Sequence, residues 1–170
     1  TTLCTGAHTG THQVPALAFY DKVNDRRVRF LQNYDVATVG EMFGSQGLLV
    51  GAIKQRKLQN RGADLFAEGG EIAETASQAV QMILHEDPDL MVVLFNETDS
   101  TAHKYGTSGP QIQAVVEQID DALGQILDAY RQRGHAEALN VVLVGDHGMT
   151  EVHTNLTSTL SDVLDAVRSE

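Results

Sequence analysis

Two kinds of apolar spacing alternate along the chain. Helical spacing appears in "DVATVGEMFGSQG" (35–47), where Val36, Val39, Met42 and Phe43 share a face and glycine follows, predicting a short helix. The compact run "LLVGAI" (48–53) favours a strand, and 55–70 reads as loop with a few turns. From Glu71 to about His85, Ile72, Ala76, Ala79, Val80, Ile83 and Leu84 mark an amphipathic helix. Pro88 ends it, because proline disfavours helical backbone at the residue before it.

"DLMVVLFN" (89–96) is a continuous apolar run of strand length, as a strand covered on both faces requires. Pro110 then opens a helix carried to residue 133 by Ile112, Val115, Val116, Ile119, Leu123, Ile126, Leu127 and Tyr130, with Gly134 closing it. "LNVVLVG" (139–145) predicts a second buried strand, and the tail is helical from about Ser158. The first thirty residues read as an irregular or short-helical entry. The order strand–helix–strand–helix–strand–helix predicts one α/β domain over 1–170, a mostly parallel sheet with helices on both faces. Short links and right-handed crossovers place 89–96 and 139–145 in one sheet, pointing the same way.

Composition sets limits on function. The chain has 170 residues, 42% hydrophobic and 21% charged, enough for one domain with a core. Its net charge of −11 is spread along the sequence, which argues against a nucleic-acid polymer or an anionic membrane as partner. The basic cluster "KQRK" (54–57) reads as a solvated turn. No window approaches the apolar length of a membrane span. Cys4 is alone and forms no internal disulfide, and "NLT" (155–157) fits a glycosylation sequon that chance often supplies. The start at Thr1, without methionine or leader, reads as a processed, truncated or excised end. These features fix neither compartment nor oligomeric state.

The chemistry lies where the two apolar runs end. Parallel sheets collect ligands beyond their carboxyl ends. There Asp99 and His103 follow one predicted strand, while Asp146 and His147 follow the other. Carboxylate with imidazole suits Zn²⁺, Mn²⁺ or Fe²⁺. Adjacent Asp146 and His147 could share an ion only if the chain turns, which Gly148 permits. Caps and loop hydrogen bonds are the plainer alternative for either pair taken alone.

At these residues a family resemblance emerges. "NETDSTAHKYG" resembles the Asp-x-x-x-His segment, and "VVLVGDHGM" the Asp-His-Gly-Met segment, of the alkaline phosphatase superfamily. The nearest branch is that of the type I phosphodiesterases and nucleotide pyrophosphatases. "TTLCTGAHTGTHQ" is similar to that branch's Thr-Gly-x-x-Pro-x-x-His-Gly stretch at Thr5, Gly6 and His12, and departs from it at Thr9 and Gln13. The resemblance implies an α/β/α sandwich, incomplete here, and two divalent ions, most simply zinc, about 4 Å apart. Asp99 and His103 would serve one ion, Asp146 and His147 the other. A metal-activated Thr or Ser would attack phosphorus in a small phosphate ester or nucleotide.

By the same register the nucleophile falls upstream of Thr1, an Asp ligand further upstream, and a His ligand after Glu170. Each ion then keeps two protein ligands, so the chain is expected to be the middle of a longer catalytic domain, inactive alone and holding metal weakly. A phosphonate hydrolase or phosphomonoesterase of the superfamily is the enzymatic alternative. A non-catalytic module binding metal or a partner through its sheet edge is the other.

Other candidates carry simpler explanations. His12 supports the entry loop by hydrogen bonds, His8 lies in that loop, and His153 is a surface or supporting residue. His85 and His135 sit at helix C-termini, where the dipole favours them. "CTGAH" lacks the sulfatase context, so Cys4 reads as a small buried residue, and Asp120 and Asp121 fall on a solvated face. Gly69-Gly70 is too short for a phosphate cradle, and Asn96 and Glu97 could support Asp99 by hydrogen bonds.

Overall fold

β3 (Val50–Ile53), β4 (Leu65–Ala67) and β5 (Leu90–Val93) form a parallel sheet in the order β4–β3–β5, with Gly51 opposite both Leu65 and Met91. This is the central feature of a computed structural model that describes residues 1–14, 18–29 and 35–151. Before the sheet come α1 (Thr2–Thr5), α2 (Thr9–His12), the antiparallel hairpin β1 (Ala18–Asp21)–β2 (Arg26–Arg29) and α3 (Val39–Gly44). α4 (Ile72–Glu86) joins β4 to β5, and α5 (Glu97–Tyr105) and α6 (Pro110–Gln132) follow.

Successive residues of a strand point to opposite faces, and β3 shows this directly. Ile53 packs with Ala79 and Ile83 of α4 and with Ile126, Ala129 and Tyr130 of α6. Ala52 faces the other way, toward Cys4 and Leu58, with Val39, Phe66 and Val92 around them. Helical segments therefore cover both faces of a parallel sheet, the α/β class expected from the element order. α4 lies close on β3: a Cβ on Gly51 would come within 2.7 Å of Met82 Sδ. Phe95 closes a third cluster with Ile72, Ala76 and Ala122, joining α4 and α6 beyond the end of β5.

Helix starts and stops follow local chemistry. Thr38 Oγ1 accepts the Glu41 N–H at 3.0 Å while Glu41 Oε2 accepts the Thr38 N–H at 2.8 Å. This capping box starts α3 at Val39, so the helix is shorter than the predicted 35–47. Arg61 grips the same Glu41 carboxylate at 2.6 and 3.0 Å and holds it below the usual range. α4 ends at Glu86, where Asp87 turns left-handed (φ 54°) before Pro88. Asp87 in turn receives Arg133 at 2.7 Å and His135 at 2.9 Å, tying the end of α6 to the entry of β5. Arg133 is the main reason the Asp87 carboxyl lies below its ordinary value.

Four expectations need correction. β4 lies within 55–70, read as loop; it is three half-buried residues long, and only its pairing with β3 reveals it. β1 and β2 likewise form a hairpin inside the entry expected to be irregular or short-helical, where α1 and α2 supply the short helices. α5 follows β5 directly, a helix no prediction contained, because its sequence "ETDSTAHKY" offers no apolar stripe. The largest difference is 139–145, which forms no strand: no ladder joins it to the described sheet, and Val141, Val142, Leu143 and Val144 are 54%, 83%, 77% and 58% exposed. An apolar run favours burial, but a strand also needs a neighbouring backbone to satisfy its N–H and C=O groups. The segment still travels in the direction of β5, from His135 beside Asp87 to His147 beside Asp99. The predicted tail helix, His153 and the 155–157 sequon lie outside the described residues.

Candidate metal centre

Three segments deliver polar side chains to the carboxyl edge of the sheet. β3 is followed by Lys54, in the left-handed conformation (φ 60°). β5 is followed by Leu94, whose N–H still donates to Ile53 O at 3.1 Å, and then by α5. The third is the turn containing Asp146 and His147, which has no regular structure.

α5 sets the first pair. Residues four apart on a helix share a face, and His103 Nε2 stands 3.6 Å from Asp99 Oδ1. Asp99 lies in the first turn, where the helix dipole favours a carboxylate. The second pair is local to the turn, with His147 Nε2 3.7 Å from Asp146 Oδ2. The two pairs then meet, for His147 Nε2 is also 4.0 Å from Asp99 Oδ1. All four predicted residues thus form one chain of neighbours, His103–Asp99–His147–Asp146, with Asp99 and His147 at its centre. Their side chains are 44–71% exposed, so the group opens to solvent.

His147 has a defined orientation. Its Nδ1 lies 3.1 Å from the Gly148 carbonyl oxygen. A carbonyl can only accept, so Nδ1–H is the donor in that contact, and Nε2 is the ring atom turned toward the two carboxylates.

The donor chemistry fits a divalent cation. Two donors about 2.0–2.2 Å from a tetrahedral ion lie roughly 3.4 Å apart, close to the separations within each pair. Among the described residues, however, no group of three or more His, Cys, Asp and Glu side chains is arranged to hold a single ion. The residues present offer two donors in each pair.

Other candidates resolve into structural roles. His12 is buried; its Nδ1 accepts the Val14 N–H at 3.1 Å, so its Nε2–H donates to Thr2 Oγ1 at 3.0 Å. In that tautomer His12 cannot act as a base toward Thr2. His85 bonds to Gln81 at 3.0 Å, and His135 to Asp87. Gly69 N–H and Gly70 N–H are taken by Gln78 Oε1 and Thr75 Oγ1, which leaves no phosphate cradle. Cys4 is buried, and burial raises its thiol pKa. Asp120 and Asp121 are exposed on α6, and Asn96 makes no side-chain cap bond.

One residue at the edge has a role its sequence context concealed. Lys54, read as part of a solvated turn, is only 17% exposed and places Nζ 2.5 Å from Glu97 Oε1. Its position immediately after a buried strand, like that of Asp146 after an apolar run, is the signal that could have singled it out.

The model of the family "Type I phosphodiesterase / nucleotide pyrophosphatase" matches residues 70–168, which is 99 of 170 positions and includes all four candidate ligands. The chain belongs to the type I phosphodiesterase/nucleotide pyrophosphatase family. Its relatives include ectonucleotide pyrophosphatase/phosphodiesterase family member 7 of Rattus norvegicus, 27% identical over 89% of this chain and 39% of that protein. The Mus musculus counterpart is 35% identical over 44% of this chain and 17% of its own length. A venom phosphodiesterase of Macrovipera lebetinus is 30% identical over 48% of this chain and 10% of its own. The chain thus spans well under half the length of these relatives. Among solved structures, phosphonoacetate hydrolase of Sinorhizobium meliloti superposes with a TM-score of 0.60 at 16% identity, over 75% of this chain and 41% of that one, a likeness of fold. No helix of the described residues is long and apolar enough to cross a membrane.

Proposed function

We propose that this chain carries part of the metal centre of a hydrolase acting on phosphodiester or pyrophosphate bonds, with a small phosphate ester or nucleotide as substrate. The observation that carries the reading is the 4.0 Å approach of His147 Nε2 to Asp99 Oδ1, two residues 48 positions apart. Membership of the family supplies the reaction class. Asp99 with His103, and Asp146 with His147, would hold two divalent ions, zinc in the first instance and manganese or iron as alternatives. When bound, such ions neutralise charge on the phosphoryl oxygens and lower the pKa of a coordinated hydroxyl.

The remaining work falls to the chain itself. α5 presents Asp99 and His103 on one face, and the Gly148 carbonyl engages Nδ1–H of His147, so Nε2 is the ring atom that would ligate. The exposure of all four side chains leaves coordination positions open to substrate and water. In this reading the attacking Thr or Ser is supplied from outside residues 1–170.

Zinc titration against a chromophoric chelator tests the assignment. Asp99→Asn and His147→Ala are expected to remove the weak zinc binding, and His103→Ala and Asp146→Ala to lower it. Unchanged zinc uptake in Asp99→Asn and His147→Ala together would refute the centre.

A further inference from the structure

Lys54 belongs to neither ligand pair, yet it is built into the edge that carries them. Its ammonium and the Glu97 carboxylate are 2.5 Å apart, with side chains only 17% and 14% exposed. Glu97 Oε2 is buried without a hydrogen-bond partner among the described residues, so Lys54 is the compensating charge for a carboxylate held largely out of water. Two further features show that the pairing is accommodated by the fold. Lys54 adopts φ 60°, a conformation most side chains avoid, while its N–H donates to Ala67 O at 2.9 Å. Gly69 (φ 68°) leaves room for the lysine stem, for a Cβ there would come within 2.4 Å of Lys54 Cγ.

Glu97 is the first residue of α5 and Asp99 the third. With 3.6 residues per turn, they point about 200° apart around the helix. Glu97 thus reaches in to Lys54 at the end of β3, while Asp99 faces His103 and His147. We infer that Lys54 is a positioning residue: through Glu97 it fixes the first turn of α5, and with it the direction in which Asp99 is presented to His147 and to a metal ion. This rests on the metal-centre reading above.

Two measurements on the purified chain test it: zinc affinity by chelator competition, and amide hydrogen exchange across 97–103 without zinc. Lys54→Gly removes the ammonium while relieving the left-handed backbone, so a loss cannot be assigned to backbone strain. Glu97→Gln removes the other partner at nearly constant volume. Each is expected to weaken zinc binding about tenfold, as loss of an outer partner of a ligand does, and to speed exchange across 97–103 with β3 still protected. The double variant should be no worse than the more affected single, because both remove one interaction. Unchanged affinity and exchange in both single variants, with zinc binding lost in Asp99→Asn, would overturn the role of Lys54 and leave the centre standing. Zinc binding retained in both Asp99→Asn and His147→Ala would overturn the centre itself, and this inference with it.

Discussion

The two halves of the candidate centre are made of the same residue types but supported in opposite ways. Asp99 and His103 ride on α5, which follows a hydrogen-bonded strand, packs against α6 and is tied at its first turn to Lys54. Asp146 and His147 end a segment with no strand ladder and four successive exposed apolar side chains. Among the described residues the second half is oriented by the Gly148 carbonyl and the neighbouring carboxylates, and further along by Thr107 Oγ1, which donates to Glu151 Oε1 at 3.5 Å. A metal site needs ligands held in place before the ion arrives, because ordering them on binding subtracts from affinity. The first half meets that condition by scaffold. The second, among the described residues, has no strand ladder and meets it by proximity to the first.

The contrast can be broken by mutation. Ile53 is fully buried beneath α4 and α6, so Ile53→Ala should cost about 2–5 kcal/mol. Leu143 is 77% exposed, and Leu143→Ala should stay within about 0.5 kcal/mol. Chemical denaturation decides between them. A large loss at Leu143 would show that the 139–145 run is packed after all.

Hydrogen exchange sharpens the same point without mutation. Amides of β3, paired on both sides with β4 and β5, should exchange near the global unfolding rate, while those of 141–144 should exchange orders of magnitude faster. Equal protection of the two segments would contradict the difference in support.

Acid provides a smaller test. Asp87 is depressed chiefly by Arg133, and Glu41 chiefly by Arg61. A carboxylate whose folded value lies below its unfolded one contributes stability that is complete above the ordinary carboxylate range. That contribution is lost as the pH falls through the depressed folded value. Melting temperature should therefore fall below about pH 4, and Asp87→Asn or Glu41→Gln should flatten that fall. A slope unchanged in both variants would remove these pairs as its cause.

Sequence pattern revealed the frame because its signals are local. The apolar stripe of α4, Pro110 at the start of α6 and the buried run of β3 each declare their element within a few turns. The capping box at Thr38 and Glu41 sets the start of α3 more sharply than the hydrophobic spacing from which a helix over 35–47 was expected. β4 was not legible, since a three-residue strand exists through its neighbour's hydrogen bonds. α5 was hidden for a related reason: a polar helix between a strand and a proline has no stripe to announce it. The run 139–145 misled because apolarity specifies a wish for burial, while a ladder requires a partner strand. Asp99 and His147 could still be placed on one edge by topology. Their separation, the orientation of His147 and the pairing of Lys54 with Glu97 are properties of the folded chain alone.

Zinc-soaked crystals, read by anomalous scattering at the zinc edge, test the central claim most directly. The account predicts scattering peaks between α5 and the Asp146–His147 turn, with Asp99 and His147 donors about 2.0–2.2 Å from zinc. Zinc bound elsewhere, with the Asp99 carboxylate and the His147 ring well apart, would contradict it.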